Sequence, residues 1–449
     1  MKIVGVLMAL IICAPIINAE TITLSREKAV KLALERNEQY KSALLERERI
    51  QGQYVEARSG AFPRITFDGS YLRNIDLQSS VLTMENKDTG KLETFNLKFG
   101  TPHNYSFGFS LYQPLYAAGK VGTAIKIAKY GFAYTDESIR VAGHDVATEA
   151  DKAYLDAVAA NEAAQVFRDA ELVAQANLEV VEKLYNEGQT SEYELLRAQV
   201  QAANTQPDRI RAENDADLAM NYLKNILALE PETRIELGST IEEISIPELK
   251  MDDLISEAIA NRPEISQSRE MMNINKKLIS IAKSGYKPDI GINSRLQWDS
   301  FKDAIGKTSI AGDSWYRSWN VEVVLSWPIF SGFETGGKVQ QAKVDYNQSR
   351  LTNSQLTRQI QLEVRDAVGK VNEARQRVEA LGETVEQAER GLSIGEVRFE
   401  NGIGTQLELL DSQVALTMAR VNRVAALHDL AVAVSALRRA VGRDWGTQW

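Results

Sequence analysis

The sequence predicts a mainly α-helical chain with a small β part, built twice from one order of elements. Three observations predict it: motifs that recur at fixed offsets, apolar seven-residue repeats sustained over long spans, and four short stretches of alternating apolar and polar residues. Ala57-Arg58-Ser59-Gly60 with Pro63 and Ile65 recurs as Ala282-Lys283-Ser284-Gly285 with Pro288 and Ile290, an offset of 225. Gln113-Pro114-Leu115-Tyr116 recurs as Trp327-Pro328-Ile329-Phe330, and Tyr185–Leu196 as Phe399–Leu410, both at an offset of 214. Three echoes in the same order identify a duplication. The offset falls by 11 between Pro288 and Pro328, so the second copy is shorter there, where exposed loops tolerate deletion.

The chain opens with Met1-Lys2, an apolar run from Ile3 to Ile12 and the small residue Ala19 before Glu20. That order reads as a secretory signal over residues 1–19. The run is too short for a bilayer, which takes about 20 residues, and no later stretch reaches that length uncharged. Cys13 is the sole cysteine. It is expected to leave with the signal, and whether it is ever lipidated stays open, Ile12 being larger than lipoprotein signals favour. The first repeat is assigned to 20–229, a linker with Pro231 and Pro247 to 230–250, the second repeat to 251–441 and a short tail to 442–449.

Each repeat reads helix, strand, loop, strand, long helix, turn, helix. Ser25–Ser59 and Met251–Lys283 carry apolar residues at helical spacing. Pro63 and Pro288 then mark helix-to-strand transitions. The period switches to two over approximately 64–74, 104–114, 289–298 and 319–328, which predicts four strands. The polar stretches Asp76–Asn104 and Asp299–Ser318 between them are expected to be loops. Membrane-crossing strands need about 9 to 11 residues and collect aromatics near their ends. Tyr71, Tyr105, Tyr112, Tyr116, Trp298, Trp319 and Trp327 fit such girdles, although alternation alone equally suits a small soluble sheet.

Pro114 and Pro328 mark strand-to-helix transitions into helices of about 70 residues, roughly 100 Å long, that end at Gly188 and Gly402. In the second, Val371, Val378, Val385, Leu392 and Phe399 recur every seven residues with Ala374, Leu381 and Ala388 between them, the seam of a coiled coil. The first has a weaker seam through Val166, Val173 and Val180, flanked by Ala170 and Leu184. The turns at 186–191 and 401–405, containing Gly188, Gly402 and Gly404, reverse the chain into return helices through Leu229 and Val441. Pro207 is expected to kink the first of these or to begin a separate helix.

Four strands cannot close a barrel, and an open sheet edge in lipid leaves N–H and C=O groups unpaired at several kcal/mol each. Membrane insertion would therefore require several copies. A formal net charge of -9 and a pI near 5.3 exclude the basic face that a nucleic-acid partner needs. His103, His144 and His428 lack metal-ligand spacing, so no metal and no cofactor is expected. No phosphate loop, nucleophile elbow or His-Glu metal pair is present, so no enzyme is expected.

The duplicated pattern, the Gly-Phe-Ser-Leu-Tyr-Gln-Pro-Leu-Tyr segment at 108–116, the Leu-Ser-Trp-Pro-Ile-Phe-Ser-Gly segment at 325–332 and the Phe399-Glu-Asn-Gly402 tip followed by Leu-Glu-Leu-Leu-Asp411 carry a family likeness. Over nearly the whole mature chain the sequence resembles the TolC-like outer membrane factors. The resemblance implies a homotrimer whose four strands per chain form a twelve-stranded transmembrane β-barrel in outer membrane lipid. It also implies an α-helical tunnel in the periplasm, docking to a periplasmic adaptor (membrane fusion) protein and an inner-membrane pump, and passive conduction to the exterior in tripartite efflux or type I secretion. Carried over by position, the acidic residues that narrow the family's periplasmic entrance fall on Glu408 and Asp411, with Glu194 equivalent in the first copy. Glu408 and Asp411 are spaced i, i+3 and share a helix face; a ring of such carboxylates favours cations. Phe399 stands where the family's latch has a tyrosine and Gly404 where it has an arginine, so that latch does not transfer. The competing reading is a soluble periplasmic adaptor or structural coiled-coil protein, which would place one hairpin beside a lipoyl-like β-domain. The exported substrate and the class of pump are not legible.

Overall fold

The computed structural model describes residues 22–85, 87, 90–238, 240–241, 246–303 and 315–445. The expected signal, Cys13 and the last four residues lie outside them. In chain order the elements are β1 (Ile22–Leu24), α1 (Arg26–Arg36), α2 (Glu38–Ser59), β2 (Arg64–Arg73), β3 (Gln78–Glu85), β4 (Leu92–Phe99), β5 (His103–Ala117), α3 (Lys120–Asn186), α4 (Glu192–Ile226), β6 (Ile235–Leu237), α5 (Met251–Asn261), α6 (Pro263–Ser284), β7 (Asp289–Lys302), β8 (Tyr316–Ser326), α7 (Glu334–Glu400) and α8 (Gln406–Val441). The chain packs as two units that each draw on both repeats: one contains 1–46, 136–267 and 353–449, the other 47–135 and 268–352.

The first unit is helical, and its core repeats itself. One apolar cluster holds Ala29, Ala33, Val146, Ala150, Ala153, Ala157, Leu223 and Leu227. The other holds Leu254, Ala258, Ile360, Val364, Ala367, Val371, Leu437 and Val441. Each member of the second series stands 225 or 214 positions after its counterpart in the first, so the duplication extends to which side chains are removed from water. Among the charged groups at this core, Asp151 is fully buried and accepts from Arg26 Nε at 2.6 Å and from the Ser435 hydroxyl. An isolated buried carboxylate would be costly; the paired guanidinium offsets that cost.

Several expectations need correction. Each first helix is two helices, broken at Asn37 and at Arg262, which are equivalent at the offset of 225. Pro263 forces the second break, because the residue before proline is pushed out of the helical region while proline suits a first helical position. In the first copy Asn37 does the work: its Oδ1 accepts from Gln39 N at 2.9 Å and its Nδ2 donates to Ile226 O at 3.1 Å. The segment 230–250 also holds a strand, since β6 pairs in parallel with β1, Ile22 opposite Ile235 through Leu24 opposite Leu237. Pro207 lies inside α4, which runs unbroken to Ile226.

The second unit carries a four-stranded antiparallel sheet in the order β2-β5-β7-β8. The stretch expected as a loop at 76–104 instead holds the hairpin β3-β4, paired from Gln78 opposite Phe99 to Glu85 opposite Leu92. Its Ser, Thr, Glu and Lys content disguised an alternating pattern. At the other expected loop, β7 continues to Lys302 and β8 begins at Tyr316, and 304–314 lie outside the described residues. The long helices start later than expected, at Lys120 and Glu334, after a pair of left-handed residues in each copy. These are Ala118 (φ 53) with Gly119 (φ 77), and Gly332 (φ 59) with Phe333 (φ 66).

Candidate functional site

Two places concentrate unusual chemistry: the sheet and the two hairpin turns. In the sheet the ladder aligns residues in rows. Ile65, Leu111, Ser294 and Val321 lie opposite one another, as do Phe67, Phe109, Leu296 and Trp319. Because successive side chains alternate between faces, these rows share one face with Phe107 and Trp298, whose rings stack at 5.4 Å. That face is apolar and open to solvent: Phe67 is 62% exposed, Trp319 74% and Val323 69%.

The opposite face is polar. Its rows read Thr66, Ser110, Arg295, Asn320 and Asp68, Gly108, Gln297, Ser318. A shallow cleft there is lined by Asp68, Ser106, Gly108, Ser110, Arg295 and Gln297. Gly108 is demanded by the strand beside it, since a Cβ would lie 2.5 Å from Leu296 O. Tyr112 shares this polar face with its opposite residues Arg64 and Asn293, so it does not belong to the apolar-face aromatic belt expected for it. Tyr71 and Tyr105 do, stacked at 4.9 Å, with the Tyr71 hydroxyl 2.8 Å from His103 Nδ1.

Both edges of this sheet, β2 and β8, lack a further strand among the described residues. Pro63 and Pro288 immediately precede β2 and β7. Pro328 follows β8 by one residue beyond Ser326, whereas Pro114 lies within β5, where the ladder shifts register between Pro114 and Tyr116. A proline has no N–H to give the ladder, so a bulge is where it is tolerated. The transition expected at Pro114 therefore comes at Ala118-Gly119.

The two hairpin turns share a pattern of backbone hydrogen bonds, and the second adds Gly404 N donating to Arg398 O. Gly188 N donates to Tyr185 O and Gln189 N to Leu184 O; Gly402 N donates to Phe399 O and Ile403 N to Arg398 O. This is the Schellman pattern, with glycine at the left-handed position, φ 71 and 69. Gly404 is needed for a different reason: a Cβ there would meet Arg398 Cβ at 3.0 Å and Phe399 N at 3.2 Å. Phe399 is the last residue but one of α7 and is half-buried.

Each return helix then starts at a hydroxyl N-cap, in the sequence spacing Ser191-x-x-Glu194 and Thr405-x-x-Glu408. The Ser191 and Thr405 hydroxyls accept from Glu194 N and Glu408 N, each at 3.3 Å. Glu194 and Glu408 also stand in the first turn of their helices, where the helix dipole favours a carboxylate. Glu408 and Asp411 are exposed, and Arg398 Nη2 lies 3.5 Å from Glu408 Oε2, which ties the end of α7 to the start of α8. Asp411 has no ion pair among the described residues. Glu194 differs: it is half-buried, with Oε2 shielded from solvent and unpartnered. No group of three or more His, Cys, Asp or Glu able to hold a metal occurs among the described residues.

A family model for outer membrane efflux proteins matches residues 29–229 and 254–443, one match for each repeat. The outer membrane protein TolC of Vibrio cholerae is 22% identical over 65% of this chain and 66% of its own length. The alkaline protease secretion protein AprF of Pseudomonas aeruginosa is 21% identical over 92% of this chain and 83% of its own. The crystal structure of the open state of the MtrE outer membrane channel of Neisseria gonorrhoeae superposes with a TM-score of 0.72 at 18% identity, covering 94% of this chain and 91% of that one.

Proposed function

We propose, for a chain that belongs to the outer membrane efflux protein family, that it closes its sheet with other copies into a membrane pore and passes cargo from the periplasm to the cell exterior. The observation that carries this reading is the sheet itself: one face apolar and exposed, the other polar, with two unpaired edges. Lipid accepts the apolar face and rejects the edges. Pairing with neighbouring copies removes the edges and turns the polar face inward.

Three copies would supply twelve strands, an ordinary barrel size. A second feature also calls for neighbours. Tyr193, Leu196, Val200 and Ile210 recur at coiled-coil spacing along α4, and each is more than half exposed in the single chain. Exposed apolar stripes of this kind mark association surfaces. The chain would act with a periplasmic adaptor and an inner-membrane pump, as channels of this family serve efflux and secretion systems; AprF is named for alkaline protease secretion. Specificity for cargo would then lie with the pump. We further assign Glu408 and Asp411 to an acidic ring at the periplasmic entrance, with Glu194 in a supporting place behind it, screened from water.

The test is purification in detergent followed by planar-bilayer recording. An oligomer with unit conductance steps is expected. A water-soluble single copy with no conductance would overturn the reading and leave the soluble adaptor in its place.

A further inference from the structure

The two open edges of the sheet carry complementary charges, and the duplication says how they meet. Lys120 is the first residue of α3, and its Nζ lies 3.0 Å from Oδ2 of Asp289, the first residue of β7. A lysine at a helix N-terminus faces the positive end of the helix dipole. The carboxylate on the adjoining strand is what favours it there. At the offset of 214 Lys120 becomes Glu334, the first residue of α7; at the offset of 225 Asp289 becomes Arg64, the first residue of β2. The structural positions are the same and the charges are exchanged.

Within one chain Glu334 and Arg64 follow or begin strands at opposite edges of the sheet. Arg64 is exposed and has no ion pair among the described residues, and Glu334 pairs with Lys338 one turn along its own helix at 2.5 Å. The backbone shows the same incompleteness. In β5, residues 113–117 pair with the start of β7. Their equivalents, Trp327–Ser331, have no strand beside them, which is why β8 stops at Ser326 while β5 runs to Ala117.

We propose that, where the barrel reading sets β8 beside β2 of a neighbouring copy, the two strands keep the register that β5 keeps with β7, and Glu334 of one copy forms an ion pair with Arg64 of the next. The inference rests on the reading of the chain as an oligomeric barrel and deepens it. Transferred by the two offsets, the β5-β7 register sets Val323 opposite Tyr71, Leu325 opposite Gly69 and Trp327 opposite Phe67 of the neighbouring copy. Every one of these pairs falls on the apolar face, whereas a slip of one residue would turn that face against polar side chains.

The test starts with sedimentation of the unaltered protein in detergent. If it is a single copy, the barrel reading fails and this inference with it. If it is an oligomer, Arg64→Glu and Glu334→Arg are each expected to raise the dissociated fraction about fivefold, and the double reversal to return it close to the unaltered value. A double reversal as dissociated as the two singles combined, in an otherwise sound oligomer, overturns the pair. Because a reversal can block assembly altogether, Arg64→Lys supplies a second measurement. Treated with a zero-length carbodiimide as a mixture of isotopically light and heavy copies, it should yield light-heavy links between peptides carrying positions 64 and 334. Links from Glu334 to Lys338 alone, in an intact oligomer, would also overturn it.

Discussion

Ala228 and Gly442 occupy the same place in the two repeats, just past the end of a return helix, and both are left-handed, with φ 48 and 78. The hydrogen bonds are also the same: Leu229 N to Lys224 O and Ala228 N to Asn225 O in one, Arg443 N to Arg438 O and Gly442 N to Arg439 O in the other. Alanine adopts this conformation against its preference, so Ala228→Gly is expected to stabilise by about 1 kcal/mol. Gly442→Ala is expected to cost more than that gain, because a Cβ there would lie 3.1 Å from Arg262 N and Cα. Urea unfolding midpoints of the two variants check both signs. Glu264 sets an acid limit. Burial favours its neutral form, yet the hydrogen bond from Arg262 at 2.9 Å and the charges of Arg439 and Arg262 hold its pKa at about 2, below the ordinary 4.5. A depressed carboxylate contributes stability that is complete above its unfolded value and lost as pH falls through the folded one. Unfolding midpoints should therefore fall between about pH 4.5 and about pH 2, and Glu264→Gln should lower the midpoint at pH 7 and flatten that acid limb. At this scale glycine signals were legible at Gly188 and Gly402. Ala228 was not, because only the backbone angle distinguishes it from a helical alanine.

The element scale shows where periodicity succeeds and where it slips. In α7 the expected seam is the buried one, with Val371, Val378, Val385 and Ala374 all at 6% exposure or less. In α3 the expected Val173 and Val180 are 42% and 51% exposed, while their neighbours Ala174 and Val181 are at 4% and 1%. The buried positions there are Ala164, Ala174, Asn177 and Val181, so valines outside them drew the reading; Val166 and Val173 instead line an open groove with Val414 and Met418. Val181→Ala is expected to cost about 2 kcal/mol, and Val180→Ala less than about 0.5. Equal losses in denaturant unfolding would restore the original seam. The β3-β4 hairpin was missed for a related reason, since polar side chains filled strands exposed on both faces. The N-caps at Ser191 and Thr405 are readable from spacing, and the helix dipole favours the carboxylates in the first turns they open, irrespective of any pore.

At the scale of the whole molecule, the decisive property is incompleteness. The oligomer proposed above would complete what one copy leaves open: the edges of the sheet, the apolar stripe on α4, and Arg64 at the start of β2, which has no ion pair among the described residues. The acidic-ring assignment belongs to this level, since a single Glu408 or Asp411 is an exposed carboxylate and only repetition around an axis makes a selectivity filter. Arg398, 3.5 Å from Glu408, offsets part of the charge, so Asp411 should matter more. In planar bilayers Glu408→Gln with Asp411→Asn is expected to lower cation over anion preference, with Asp411→Asn alone giving the larger part. Unchanged reversal potentials in a salt gradient would reject the ring.

The sequence by itself determined the duplication, the two long helices, the four main strands, the positions of both hairpin turns and the family. Each of these depends on local spacing and on residues whose backbone demands are their own. Tertiary structure alone decided which face of α3 is buried, that the linker pairs with the first strand, that Pro114 lies in a bulge, and that Lys120 meets Asp289. Those outcomes depend on which distant segments come to lie side by side, and a linear pattern of side chains does not encode its neighbour.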